Sequence, residues 1–252
     1  SLQLNQRWYL DQVSDILVIG CGFVGGTIAD WLERNGHSVV RIDPKLNNNK
    51  IEDYENAVGA VICLPTPTID GKPYDTAIKQ IVSKLGDKHI LIKSTILPDQ
   101  LDNYADNVTY SPEFLRERHA KEDYENQKLI VWGGTRLEVG FWLTKFNDIS
   151  KQNVVTNRAT ASMIKYIHNS WLATKVTFFH DLYTKLHKDV KYSELTGILG
   201  MFKNIGPSHM KAEKLGYDGS CFPKDVEAFT NFTGSEILKV VMEVNDNLLR
   251  AR

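Results

Sequence analysis

The sequence predicts an α/β fold: a doubly wound parallel sheet, then an all-α domain built on one long helix. Three observations carry this. Short apolar runs alternate with helix-length segments through the first half of the chain. The first of those runs feeds straight into a glycine-rich turn. Past Asn157 the composition changes, and Ala159 to His187 contains neither glycine nor proline.

Taken in order, DILVIG (Asp15 to Gly20) has the continuous apolar character of a strand buried on both faces. It runs into Gly20-Cys21-Gly22-Phe23-Val24-Gly25, a G-x-G-x-x-G, followed by a helical segment to Asn35 with Gly36 as its stop. The next strand, SVVRID, ends in Asp43, about 23 positions after the first glycine. Strand, glycine turn, helix and terminal acid together form a dinucleotide-binding signature of the Rossmann type. The glycines let the backbone approach a pyrophosphate, and the helix N-terminus stabilises its charge. Asp43 would accept from the ribose hydroxyls and repel a 2′-phosphate, which favours NAD over NADP.

Only about 15 residues separate Asp43 from the third strand, GAVICLP, room for a loop or one helical turn. LPTPT follows, so Leu64, Pro65 and Thr66 lie at the carboxyl end of a strand, where open α/β sheets bind ligands. The Thr66 hydroxyl is left to meet the cofactor. A helix over Asp75 to Leu85 leads to HILIKST, a strand ending in Ser94 and Thr95, and then to VTYSP, PEFLRE and LIVWGG. In the long segment after Asn157, apolar residues recur near helical period from Met163 to Leu186. About 29 residues at 1.5 Å each make a rod of ~43 Å, apolar on more than one side, as a spine or subunit interface would be. Shorter helices follow, and SEILKVVMEVNDNLLRAR forms a last amphipathic one. The domain boundary is expected near residue 157: residues 1–157 bind the dinucleotide and residues 158–252 form the helical domain.

Composition narrows the function classes. Thirty basic and 31 acidic residues, with no long basic run, argue against a nucleic-acid surface. No apolar stretch approaches the ~20 residues of a membrane span. The amino end, SLQLNQRWYLDQVSD, has no signal-peptide pattern. Three cysteines in no framework spacing suit a reducing, cytoplasmic setting, and seven histidines in no ligand spacing predict no metal.

One of those cysteines stands apart. In GYDGSCFPKDVEAF, Cys221 precedes a proline suited to a first helical turn and a helix reaching Thr233. A thiol at the positive end of a helix dipole, with Lys224 near, should have its pKa fall from about 8.5 toward neutrality, giving an accessible thiolate.

GCGFVG, LPTPT, KST with Pro98, SPEFLRE, KYIHNSWLATK and GSCFPKD, in this order, resemble the nucleotide-sugar 6-dehydrogenases from about residue 15 to the carboxyl end. The resemblance implies four-electron oxidation of the C6 alcohol of a nucleotide sugar such as UDP-glucose, with two NAD and a cysteine-bound intermediate. By it Cys221 matches the nucleophile and Asp225 its acid/base partner. Lys165 and Asn169 match the pair that stabilises the oxyanion and contacts substrate; their i,i+4 spacing puts two donors on one helix face. Glu113 and Glu117 match two family glutamates, one activating water for thioester hydrolysis and one near the nicotinamide, in an order the sequence leaves open. Thr95 and Lys224 match positions near the catalytic water and cofactor, while Phe114, Leu115 and Arg116, with Gly219, would lie against the substrate. A homodimer through the long helix is expected.

Four departures stand out. The family usually continues for ~100 residues into a second nucleotide-binding-like domain, and it carries a helical insert between the second and third strands. Compaction at this second, internal place favours a naturally small protein. Asn204 replaces an arginine common before Ile-Gly, and Asp218 replaces a glycine, adding negative charge near Cys221. With part of the substrate clamp absent, a raised KM or a shifted substrate is expected, and Ser208, His209 and Lys211 of the GPSHMK loop offer groups for a diphosphate. Other readings are a GDP-mannose or UDP-N-acetylhexosamine dehydrogenase, a β-hydroxyacid dehydrogenase working with a lysine and no cysteine, and a non-catalytic NAD-binding subunit.

Overall fold

The computed structural model describes residues 15–148 and 151–252; the amino-terminal stretch read for a signal peptide lies outside them. The chain divides into two compact units, one of residues up to Thr66 with Tyr74–Lys165, the other of Pro67–Pro73 with Tyr166–Arg252.

The first unit begins with β1 (Ile16–Ile19), α1 (Phe23–Arg34) and β2 (Val39–Ile42), then a 3₁₀ turn (Ile51–Asp53) and β3 (Gly59–Ile62). The strands β4 (Thr68–Ile69) and β5 (Lys72–Pro73) belong to the second unit. The first resumes with α2 (Thr76–Leu85), β6 (His89–Ile92), α3 (Pro98–Leu101), β7 (Val108–Tyr110), a 3₁₀ turn (Glu117–His119) and α4 (Ala120–Asn126). It closes with β8 (Leu129–Gly133), α5 (Arg136–Lys145) and β9 (Gln152–Thr156).

The seven-stranded sheet has the order β2-β1-β3-β6-β7-β8-β9. Strand order reverses between β1 and β3, the switch point where such sheets bind ligands. Alternation along each strand builds a core on both faces. Leu17, Ile19, Ile62, Ile90 and Ile92 pack to one side, and Ile16, Val18, Val61 and Leu91 to the other. Each such side chain contributes about 2 kcal/mol by leaving water.

The predicted α/β class with a doubly wound, mostly parallel sheet is what the structure has. Its parallel run is broken once, where β8 lies antiparallel to β7. The compact segment between β2 and β3 is a loop with one 3₁₀ turn; there Asn47 and Asn49 each donate a side-chain amide to Arg41 O, at 2.9 and 3.0 Å. These bonds occupy a carbonyl of the edge strand that would otherwise be open to pairing.

The second unit holds α6 beyond Lys165 (the helix spans Arg158–Tyr183), α7 (Tyr192–Leu199), α8 (Phe222–Thr233) and α9 (Glu236–Arg250). The β4–β5 hairpin makes it other than all-α. The expectation of 29 helical residues from Ala159 is corrected to 26 from Arg158. Just past its end the Thr184 hydroxyl donates to Asp181 O at 2.7 Å. The division between these compact units falls after Lys165, inside the helix. The core of this unit is Ala173, Val176, Tyr217, Val226 and Val241, with Tyr166 and Phe229 stacked at 5.5 Å. No helix among the described residues is long and apolar enough to cross a membrane.

Candidate active site

In the first unit, α1 starts on Gly22 without a side-chain cap, and the space over Gly22 is open. The amides at the helix start therefore face outward, as an anion site requires. Gly25 is fixed by packing: a Cβ there would sit 1.9 Å from Gly20 O. Asp43 organises the same turn, its Oδ2 accepting from Cys21 N (2.8 Å) and its Oδ1 from Lys45 N (2.9 Å). Those two bonds, Cys21 first, hold its carboxyl below the usual carboxylate range. Lone pairs remain on both oxygens for ribose hydroxyls. Ser94, at the end of β6, is buried with its hydroxyl unpartnered among the described residues. An uncapped helix start, an ionised acid and an orphan hydroxyl fit a dinucleotide.

Thr66 departs from expectation. It is buried, and its hydroxyl donates to Thr95 O at 2.8 Å instead of standing free for the cofactor. A buried hydroxyl takes the nearest acceptor, and this one ties the LPTPT loop to KST.

SPEFLRE leaves the end of β7. Lys165 of α6, 4% exposed, donates to Glu113 O at 2.6 Å and lies 3.4 Å from Glu113 Oε1, with its charge 5.4 Å from the Phe114 ring. The structure thus brings Glu113 to Lys165, while Glu117 opens an exposed 3₁₀ turn. The backbone expected to meet a diphosphate is already engaged: Leu115 N donates to Glu113 Oε2 (2.6 Å) and Arg116 N to Asp123 Oδ2 (2.8 Å). The exposed Arg116 guanidinium pairs with Asp123 as well.

In the second unit, Cys221 is the N-cap of α8, a free and partly buried thiol 3.7 Å from Ser220 Oγ. Lys224 pairs with Asp225 Oδ1 at 2.5 Å. Asp225 is 2% exposed, and its Oδ2 accepts from Asn169 Nδ2 at 2.7 Å. A carboxylate this buried needs both partners. Asn169 keeps one amide hydrogen for another acceptor, and Lys165 keeps donor capacity. Gly219 sits at φ +88°, a conformation suited to glycine in the turn before the thiol. The negative charge of Asp218 is balanced by Lys214 (2.5 Å) and Arg252 (2.6 Å), which hold its carboxyl low.

Sequence reasoning missed several supports. Lys175, buried, donates to Ile205 O (2.7 Å) and Gly206 O (3.1 Å). Tyr192 OH donates to Met210 O, and His180 Nε2 to Lys211 O, both at 2.5 Å. Burial pushes His180 toward the neutral form. These bonds fix the backbone of the GPSHMK loop. Thr68 of the hairpin donates to Lys224 O at 2.9 Å, a contact without local signal in the sequence. Lys93 had one: a lysine directly after three apolar strand residues, Ile90, Leu91 and Ile92.

Comparison with known proteins agrees with the motif order. Residues 159–247 match the model of the UDP-glucose/GDP-mannose dehydrogenase family, central domain. The UDP-glucose 6-dehydrogenase of Rickettsia bellii is 30% identical over 291 residues, covering 92% of this chain and 66% of that protein. That of Rickettsia felis is 31% identical over 294 residues, covering 92% and 64%. The chain therefore spans slightly under two thirds of the length of these relatives. Both alignments exceed the chain's own 252 residues, so the relatives hold internal residues that this chain lacks. A UDP-glucose dehydrogenase structure from Pyrobaculum islandicum superposes with TM-score 0.82 at 23% identity, over 93% of this chain and 68% of that one. A 3-hydroxyisobutyrate dehydrogenase of Mycobacterium tuberculosis, 14% identical, shares the fold at TM-score 0.72 over 93% of each chain. Fold alone does not separate these two groups; the sequence relatives and the central-domain match do, and the chain belongs to the UDP-glucose/GDP-mannose dehydrogenase family.

Proposed function

We propose that the chain carries the chemistry of an NAD-dependent nucleotide-sugar 6-dehydrogenase, oxidising UDP-glucose to UDP-glucuronate. The observation that best supports this is the Asn169–Asp225–Lys224 cluster directly behind Cys221. It is a buried, charge-balanced carboxylate one helical turn beyond a capping thiol.

Gly20, Gly22, Phe23, Val24, Gly25 and Asp43 would hold the dinucleotide, with Leu64, Pro65, Thr66, Ser94, Thr95, Glu117 and Lys224 lining it. When bound, NAD supplies the hydride acceptor for both oxidations, alcohol to aldehyde and thiohemiacetal to thioester. The Cys221 sulfur adds to the aldehyde carbon as the C=O π pair moves to oxygen. Lys165 and Asn169 donate to that oxygen and stabilise its charge. Asp225 takes the proton released as the alcohol is oxidised, through a water. Hydrolysis then breaks the C–S bond: water adds to the thioester carbon, Glu113 takes its proton, and the thiol regains one on leaving. One alcohol, one water and two NAD thus yield a carboxylate, two NADH and three protons.

Phe114, Leu115, Arg116 and Gly219 are assigned to the substrate. The amides of Leu115 and Arg116 must exchange their carboxylate partners for phosphate oxygens when it binds. A homodimer along α6 is supported by an exposed stripe of Ile167, Trp171, Phe178 and Leu182 on one face of the helix. The test is a panel of nucleotide sugars with NAD. Two NADH per UDP-glucose are expected; one NADH per sugar, or none with any sugar, removes the proposal.

A further inference from the structure

One lysine of the first unit has no part in the chemistry assigned above. Lys93 follows β6 directly, is 8% exposed, and has as its hydrogen bond among the described residues Ser111 Oγ, at 3.0 Å. Its ammonium also stands 5.9 Å from the Trp132 ring. An ammonium buried on one neutral hydroxyl is strongly disfavoured unless an anion compensates. The titratable groups facing it are Cys63 from the end of β3, Glu113 from the loop after β7, and Lys165 from α6. Of these only Glu113 is a ready anion, because burial pushes the Cys63 thiol up to about 12. Ser111, which Lys93 holds, is two residues before Glu113 on the same loop.

We propose that Lys93 is a positioning residue of the reaction, anchoring the start of the Glu113 loop through Ser111 while its charge shares Glu113 with Lys165. This rests on the oxidation proposed above. With Lys165 on the carboxylate and Lys93 on Ser111 two residues earlier, Glu113 is kept at a fixed place, as a group that takes a proton from water must be. Burial brings the Lys93 ammonium down to about 8. The support is therefore charged below that pH and lost above it.

Two measurements test the proposal. In kcat–pH profiles of NADH formation, the wild type is expected to lose rate as pH rises through about 8. Lys93→Met should be slower by about tenfold or more and flat across this interval, with KM for the sugar little changed. Lys93→Arg, which keeps its charge, should recover part of the rate and show no such limb. A Lys93→Met enzyme with the wild-type rate and limb overturns the inference. A merely structural lysine would lower the melting temperature without moving the profile.

The second measurement needs no turnover, so it separates this inference from failure of the proposed activity. In protein labelled with ¹³Cε-lysine, the resonance missing from Lys93→Met should titrate near 8, and Glu113→Gln should move its midpoint lower. A midpoint near that of free lysine, about 10.4, or one indifferent to Glu113→Gln, overturns the proposal even if the wild type is active. Should Lys93→Met not fold, Ser111→Ala carries the same test, with a further drop in the midpoint expected.

Discussion

Asn169 Nδ2 donates to Asp225 Oδ2 at 2.7 Å, joining two residues 56 positions apart in the sequence. The bond is buried, and with Lys224 on the other oxygen it neutralises a carboxylate that has almost no water. Asn169→Ala should therefore lower stability by about 1–3 kcal/mol, through loss of a bond to a buried charge. It should also lower kcat by about 10²–10³, if the remaining amide hydrogen serves the oxyanion. Thermal unfolding and steady-state rates on one preparation check both. A stable protein with an unchanged rate would refute the assignment.

Cys221 caps α8, and no other cysteine lies in its unit. Cys221→Ser should stop the reaction at the aldehyde or at a slowly hydrolysed ester. NADH yield should drop from two per sugar toward one, with dinucleotide affinity unaltered. Quantifying NADH against consumed sugar decides it; retention of two at the wild-type rate would exclude the thioester route.

Asp43 is the point where the second strand meets the glycine turn, through Cys21 N. Asp43→Ala should weaken NAD binding by about tenfold and reduce preference over NADP, since both the ribose acceptor and the repelling charge go. Fluorescence titration with each dinucleotide reads the change.

Lys93 makes an alkaline prediction for stability. Its ammonium titrates near 8 in the folded chain and near 10.5 when unfolded. Between these values the unfolded chain binds the extra proton, so this group makes stability rise with pH. Below about 8 its burial penalty is present in full, and Lys93→Met should be more stable by about 1–3 kcal/mol there. Cys63 acts oppositely above its ordinary value of 9.0, because folding raises it. Urea midpoints of wild type and variant should thus be compared at each pH, and their gap should close as pH approaches 10.5.

Trp171, 60% exposed, and Phe178, 57% exposed, are the largest members of the stripe on α6. Trp171→Lys should shift a dimer toward monomer in light scattering while leaving far-ultraviolet dichroism unchanged. A wild type that is monomeric at all concentrations would dismiss the assignment of this face.

Much of the fold was legible, because buried parallel strands and a glycine turn leave strong local marks. DILVIG, the G-x-G-x-x-G and Asp43 sit together in the structure as their spacing implies. The edge strand Gln152–Thr156 was not legible: all its residues have solvent contact, and its pattern is too polar to distinguish from a loop. At the site, residue types were readable but their partners were not. Nothing local says that Asn169 turns to Asp225, or that Thr66 is used by Thr95 O. Such choices depend on which acceptors are buried nearby, and long-range packing decides that. Lys93 was visible as a letter in KST, yet only its burial reveals a charge that needs a reason.

The β4–β5 hairpin interrupts the sequence of the first unit but packs with the second, its Thr68 bonded 156 positions ahead to Lys224. During synthesis it therefore leaves the ribosome long before the helix it grips. The second unit cannot finish until the chain through Thr233 has emerged. Its assembly is a late event that depends on the first unit keeping two short strands available, and a fragment starting at Tyr166 would lack that piece from the outset.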